Sequence, residues 1–214
     1  MTKIEIPFLS EITSRTTIQE ISQKLDQLEK QIIGNVPWPE YSYNPGVKFA
    51  IAHSEGHILL KYYVSEREVK AVYSRPNDPV YRDSCVEFFV QFADDPNYYN
   101  LEFNSHGTCL MGYGPGRGNR NRLPEHVIGQ IQSMSIIQQR QVSSPDINWQ
   151  LTLLIPHEVF CYRPIRELHG VNARANFYKC GDDLSQPHFV TWNHISAPKP
   201  DFHLPEFFGE IHFL

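Results

Sequence analysis

The 214-residue chain is long for one average domain but ordinary for a single large β-sandwich, and it can bury a substantial core unaided. Its net charge of −5 excludes a surface built for non-specific nucleic-acid binding, which needs cations to displace phosphate counterions, and gives no attraction to anionic membranes. The 13% aromatic content and 16 prolines favour short strands joined by turns over long helices.

The first residues, Met-Thr-Lys-Ile-Glu-Ile-Pro, hold no apolar signal core, and no run approaches bilayer-spanning length, so a cytoplasmic location without membrane contact is expected. Four cysteines (Cys85, Cys109, Cys161, Cys180) lie far apart, with no Cys-x-x-Cys pair and no His at zinc spacing. They read as reduced, partly buried small apolar residues, and neither metal nor cofactor is expected.

Taken in order, residues 1–13 begin with a short alternating segment suited to a sheet edge. Thr17 with Glu20 three residues later has the form of a capping box, and Ile18, Ile21, Leu25, Leu28 and Ile32 recur at spacings of three and four. That pattern predicts one helix, stopped by Gly34 and Pro37, docking its apolar stripe on a sheet. Trp38, among prolines and tyrosines, is expected to plug the space between helix and sheet. Strands follow at residues 47–53 and 57–65 around a Ser54-Glu55-Gly56 turn, and a shorter one at 68–74. Residues 75–82 form a polar loop.

Residues 83–92 form the central strand. With side chains alternating between faces, Val86, Phe88, Val90 and Phe92 point into a core, while Cys85, Glu87, Phe89 and Gln91 make a mixed polar face. After a turn at 93–97, the strand at 98–104 buries Tyr99, Leu101 and Phe103. If the two strands pair, Glu87, Gln91, Asn100, Glu102 and Asn104 share one polar face. A further strand covers 105–113. The glycine-rich segment 112–118, followed by Asn119, Arg120 and Arg122, lacks the helix a phosphate-binding loop requires and reads as a mobile surface loop. Strands at 131–141 and 148–156 follow, the second with Trp149, Leu151, Leu153 and Ile155 inward. Residues 156–160 form a helical turn. The strand at 170–180 points Val171, Ala173, Ala175 and Phe177 inward and Asn172, Arg174, Asn176 and Tyr178 outward. Trp192, a proline-rich loop and a closing strand at 209–214 complete the chain. About ten strands with one long helix indicate an all-β antiparallel sandwich, jelly-roll-like, with an N-terminal helix. Residues 1–46 are assigned to a strand and helix packed on the sandwich formed by 47–214, as one structural domain.

Five stretches in this order resemble the family 9 carbohydrate-binding modules and their DOMON-like relatives: Asp83-Ser84-Cys85-Val86-Glu87-Phe88-Phe89, residues 99–104, residues 170–176, Phe189-Val190-Thr191-Trp192, and Phe208-Gly209-Glu210-Ile211-His212-Phe213. The resemblance covers residues 47–214 and implies a non-catalytic sandwich that binds saccharide between two aromatic rings, with polar groups of one sheet face holding the hydroxyls. Aligned on Val86-Glu87, Tyr81 falls where the family has one stacking tryptophan. Counted back from Phe208-Gly209, Phe202 falls at the other. Glu87 matches a carboxylate that contacts sugar hydroxyls, whereas Glu102 and Lys199 stand where better-known members have an arginine and an asparagine.

The chemistry agrees with that implication. Sugars present apolar C–H faces and a rim of hydroxyls, so a site needs flat rings together with charged or amide groups. Tyr81 and Phe202 supply rings; Glu87, Asn104, Asn172 and Arg174 supply hydrogen bonds, Glu102 completes the candidate sugar-binding set, and Arg174 is also placed to compensate Glu102. Two alternatives stand beside this reading: a glycoside hydrolase using Glu87 and Glu102 as a carboxylate pair, and a haem-binding DOMON-type domain, for which the ten histidines yield no assignable axial pair.

Overall fold

A computed structural model describes residues 2–93, 95–138 and 145–214. Among these residues, an eight-stranded and a five-stranded sheet lie face to face. The smaller sheet runs β2 (Gln31–Ile33), β3 (Gly46–Ser54), β4 (His57–Glu66), β10 (Ile147–Pro156) and β9 (Gln132–Ile137). The larger begins at the edge with β1 (Lys3–Ile6), then β13 (Gly209–Phe213), β11 (Asn172–Cys180), β5 (Cys85–Phe92), β6 (Tyr98–Asn104), β7 (Cys109–Gly114) and β8 (Asn121–Arg122), with β12 (Phe189–Thr191) also paired to β11. Among the strand pairs of the described residues, only β1–β13 is parallel. The expected all-β sandwich is therefore observed, and its N-terminal residues contribute strands to both sheets. Residues 139–141 of the strand expected at 131–141 lie outside the described residues.

Alternation explains the core. Val86, Phe88, Val90 and Phe92 of β5, Tyr99, Leu101 and Phe103 of β6, and Ala173, Ala175 and Phe177 of β11 face Phe49, Leu60, Trp149, Leu151 and Leu153 of the smaller sheet. Phe177 stacks on Phe49 across the interface, with centroids 3.8 Å apart, and on Phe88 beside it at 5.0 Å. The two sheets are thus joined by a stacked aromatic contact as well as by buried apolar area.

The capping box forms as expected: Glu20 N–H donates to Thr17 Oγ1, and Thr17 N–H to Glu20 Oε2, starting α1 (Ile18–Leu25). Ile21 and Leu25 pack on Ala50, Ala52, Leu59 and Leu154, the outer face of the smaller sheet. The helix ends well before Gly34. Asp26 is held by Lys61 Nζ at 2.6 Å and the Tyr63 hydroxyl at 2.7 Å, and Lys30 Nζ donates to the carbonyls of Asp26 and Leu28. The chain turns there and pairs as β2 with β3, leaving Ile32 65% exposed. Helical spacing of Leu28 and Ile32 was thus overridden by an available sheet edge.

The strand expected at 68–74 does not form. Its backbone is instead held by the turn into β5: Asp83 Oδ2 accepts from Val72 and Tyr73 N–H, and Ser84 Oγ accepts from Lys70 N–H. Trp38 is buried as a plug, but in a different place. It packs on Phe189 and Phe202 and donates its indole N–H to the Ala197 carbonyl, beneath the loops that cover the outer face of the larger sheet.

One charge cluster lies inside the sandwich. Lys179 Nζ sits 2.9 Å from Glu66 Oε2, both side chains being almost fully buried, and donates to the Cys180 carbonyl and His188 Nε2. Trp149 donates its indole N–H to Glu66 Oε1. His188 accepts from an ammonium at Nε2 and donates from Nδ1 to the Gln186 carbonyl, which fixes the neutral tautomer. Burial, and then Lys179, push its pKa down to about 3. The unfolded chain begins to bind this proton near pH ~6.5 and the folded protein only near its own lower pKa, so His188 subtracts stability progressively as pH falls through that window. The unfolding free energies of the natural protein and of His188→Gln are therefore expected to converge as pH is lowered from 7 to 4 in urea titrations. A difference that stays constant over that range contradicts a neutral buried His188.

Candidate functional site

The outer face of β5, β6 and β11 is not open to solvent. Cys85 and Phe89 of β5, Tyr98 of β6, and Tyr178 and Cys180 of β11 are covered by Trp38, Val80, Ile195, Phe202 and Phe208 from the surrounding loops, forming a second apolar cluster. At its edge this cover leaves a pocket of about 260 Å³.

Antiparallel register places Glu87 of β5 directly opposite Glu102 of β6, on the pocket floor. Both carboxyls are almost fully buried. Burial, reinforced by Glu102, holds Glu87 well above the ordinary carboxylate range. Glu87 Oε1 accepts from the Cys180 thiol at 3.1 Å. Burial raises Glu102 to about 7, against the opposing pull of the Asn100 hydrogen bond and of Arg122 and Arg120. The Asn100 amide donates to Glu102 Oε1 at 2.7 Å. Two like charges side by side in a poorly solvated floor are thereby reduced by protonation.

The walls come from three loops. Tyr81, half-buried, lies in a 3-10 turn (Val80–Arg82), and its carbonyl accepts from Asp182 N–H, which ties the turn to the end of β11. Phe202 stacks on Tyr178, centroids 4.1 Å apart and planes 7° from parallel, while the Tyr178 hydroxyl donates to the Phe202 carbonyl. Phe189 meets Phe202 edge-on and lines the same pocket. Arg117, Arg120 and Arg122 also line the pocket. Arg117 pairs with Asp201 at 3.0 Å. Arg120 lies over the Tyr98 ring at 4.4 Å and donates to the carbonyls of Tyr98, Gly112 and Gly116. His203 accepts from the Tyr98 hydroxyl at Nδ1, and burial followed by the three arginines pushes it to about 3, so it is neutral. Asp182, at the rim, is raised to about 6 by burial and by Asp183.

Of the residues expected at the site, the structure brings together Tyr81, Glu87, Glu102 and Phe202. Asn104 is on the expected face but is consumed by the fold: its amide donates to the Tyr73 carbonyl and Asp83, and its carbonyl oxygen accepts from His106 and Thr108 N–H. Asn172 and Arg174 sit at the other end of β11, around a separate shallow depression with Lys3, Glu210 and His212. Arg174 donates to the carbonyls of Glu206 and Phe208 and does not compensate Glu102, which lies near Arg120 and Arg122. The arginines are the residues sequence reasoning missed. A two-residue strand and not a helix follows the segment 112–118, and the chain there folds so that Arg117, Arg120 and Arg122 enter the pocket. Their clustering within and just after a run of four closely spaced glycines was the available signal.

Three polar atoms of this pocket, Glu102 Oε2, Asn100 Oδ1 and Arg120 Nε, are buried without a hydrogen-bond partner in the protein. The profile of carbohydrate-binding family 9 matches residues 18–213. The chain belongs to that family. Within family 9 folds, a carbohydrate-binding module from Caldicellulosiruptor kristjanssonii, solved with glucose and again with cellotriose, shares the fold at 12% identity and a TM-score of 0.62. The glucose complex aligns over 100% of this chain and 96% of that one, the cellotriose complex over 99% and 93%. A crystal structure from Bacteroides uniformis, of a protein to which carbohydrate binding has been ascribed, is more similar: 35% identity and a TM-score of 0.92 over 99% of both chains. No curated protein shows significant similarity to the chain.

Proposed function

We propose that this family 9 protein binds a small saccharide non-covalently in the pocket, without catalysis. The observation that carries the reading is the set of partnerless buried polar atoms between aromatic walls. Each unpaired buried polar group costs about 1–3 kcal/mol, so a fold that concentrates Glu102 Oε2, Asn100 Oδ1 and Arg120 Nε in one concavity is organised for a ligand that supplies both donors and acceptors. Sugar hydroxyls do both: each has one hydrogen to donate, so two neighbouring hydroxyls answer the two oxygens, and a lone pair of either accepts from the Arg120 N–H. Phe202, Phe189 and Tyr81 offer apolar surface to the C–H faces of the ring. The volume, about 260 Å³, lies just below the range of small-molecule sites, about 300–1,000 Å³, and suits a small saccharide. The guanidinium that better-known relatives carry at the Glu102 position is supplied here from the segment between β7 and β8. The glucose and cellotriose complexes of the Caldicellulosiruptor module support the ligand class.

Glycan-array screening followed by calorimetry is expected to find a bound saccharide. Tyr81→Ala is expected to weaken binding about fivefold to tenfold, the loss of one stacking ring, and Glu102→Gln to weaken it further by replacing an acceptor with a donor. Absence of any bound glycan, or isotherms unchanged in both variants, would rule out this site. The hydrolase alternative has the opposed Glu87 and Glu102 in its favour. No sugar release from a polysaccharide panel is expected; release abolished by Glu87→Gln would replace the binding reading with that one.

A further inference from the structure

Beneath the same pocket, independently of which saccharide it takes, lies a set of side chains that the binding of hydroxyls does not use. Cys85 of β5 and Cys180 of β11 are direct register partners, and Glu87 follows on the same face of β5. The two sulfurs and a Glu87 carboxylate oxygen all lie within 4.8 Å of one another, with Oε1 3.1 Å from Cys180 Sγ and 4.0 Å from Cys85 Sγ. All three residues are buried. A tetrahedral zinc ion, with bonds of about 2.3 Å to sulfur and 2.0 Å to oxygen, has edges of roughly 3.5–3.8 Å between such ligands. The three atoms are already spread at that scale.

We propose that Cys85, Cys180 and Glu87 bind a borderline-soft divalent cation of the zinc class, with the fourth coordination position facing the pocket. Two thiolate donors disfavour magnesium and calcium, which take oxygen ligands, and favour zinc. Cys180 and Glu87 line the pocket while Cys85 lies behind them, so the pocket is the entry path and the open side of the site. Three protein ligands with one open position is the arrangement of zinc sites that handle a ligand, in contrast to closed structural sites. Binding forms two sulfur–metal bonds and one oxygen–metal bond, displaces water from the ion, and releases both thiol protons and any carboxyl proton to solvent; no redox change occurs. The loaded site carries one net negative charge beside Glu102, and Arg117, Arg120 and Arg122 in the same pocket offset it.

Cobalt(II) titrated into reduced, chelator-stripped protein tests the proposal. The expected result is saturation at one equivalent with a thiolate-to-cobalt charge-transfer band and the visible bands of four-coordinate cobalt, all displaced by zinc. Cys85→Ser and Cys180→Ser are expected to abolish the thiolate band, Glu87→Gln to weaken binding about tenfold or more, and Cys109→Ser and Cys161→Ser to leave it intact. No band, or a band that survives in the Cys85→Ser, Cys180→Ser double variant, overturns the site. A measurement on the natural chain needs no folding control: zinc is expected to slow alkylation of Cys180 while leaving exposed Cys161 unaffected, and equal Cys180 rates with and without zinc overturn the proposal equally.

Discussion

Lys179→Met is expected to lower the unfolding free energy by about 3–5 kcal/mol, seen as a large drop in urea midpoint. Lys179 and Glu66 have side-chain exposures of 0% and 1%, and they join β11 of one sheet to β4 of the other. Removing the lysine leaves Glu66 buried with the Trp149 indole N–H as its one hydrogen bond among the described residues and a neutral His188 nearby. The fault is the uncompensated charge and not the lost attraction, so a second substitution discriminates between the two. In Lys179→Met, Glu66→Gln, the glutamine oxygen still accepts from Trp149, and its amide faces His188 Nε2, which lies 3.9 Å from Glu66 Oε2 and is freed as an acceptor. The double variant is expected to regain at least half of the loss. A single variant costing less than about 1 kcal/mol, or a double variant no better than the single, contradicts this account.

The position of that cluster matters for the site. Side chains alternate along β11, so Lys179 points between the sheets while its neighbours Tyr178 and Cys180 point to the outer face, where they carry Phe202 and the pocket floor. An ion pair on the inner face therefore fixes the strand whose outer face bears the pocket floor. Its insulation from solvent also explains why His188 stays neutral beside it: the ammonium already occupies the only charge the cavity can compensate.

Alternation made the two sheet faces legible from the chain alone. It assigned Val86, Phe88 and Val90 to the core and Glu87 and Glu102 to the outer face, and the short turn after Phe92 made their pairing predictable, so Glu87 and Glu102 lie directly opposite. Alternation fixes a face but not a position along it. Arg174 and Asn172 were placed on the correct face and proved to lie at the opposite end of β11 from the pocket, because Ala173 pairs with Phe92 and Cys180 with Cys85. Nor does it reveal which polar groups the fold itself consumes. Asn104 is spent on the loop backbone because the segment 68–74, which looked like a strand, needed side-chain acceptors and donors once it failed to join a sheet. The arginines escaped for a related reason: the glycine-rich spacing marks the segment, but the arginines' place is set by how the segment between β7 and β8 folds over the sheet, a non-local outcome.

Phe202→Ala is expected to be destabilising as well as damaging to binding, by about 3 kcal/mol. Although it lines the pocket, Phe202 is only 7% exposed; one ring face lies flat on Tyr178 and its edges meet Trp38 and Phe189. Truncation leaves a cavity in the outer cluster and loosens the loop that carries Asp201 and His203 into the pocket. Weakened saccharide binding in Phe202→Ala would therefore not separate a lost stacking surface from a displaced loop. Phe202→Leu does, because it keeps most of the buried volume while removing the flat face. Its stability is expected to fall by no more than about 1.5 kcal/mol, with saccharide affinity reduced about fivefold to tenfold, the worth of one aromatic contact. Tyr81→Ala, at a half-buried rim position, is expected to match that affinity loss with little change in urea midpoint. If Phe202→Leu binds as tightly as the natural protein while Tyr81→Ala does not, Phe202 is a support for the pocket wall and, of the two rings, Tyr81 alone meets the sugar.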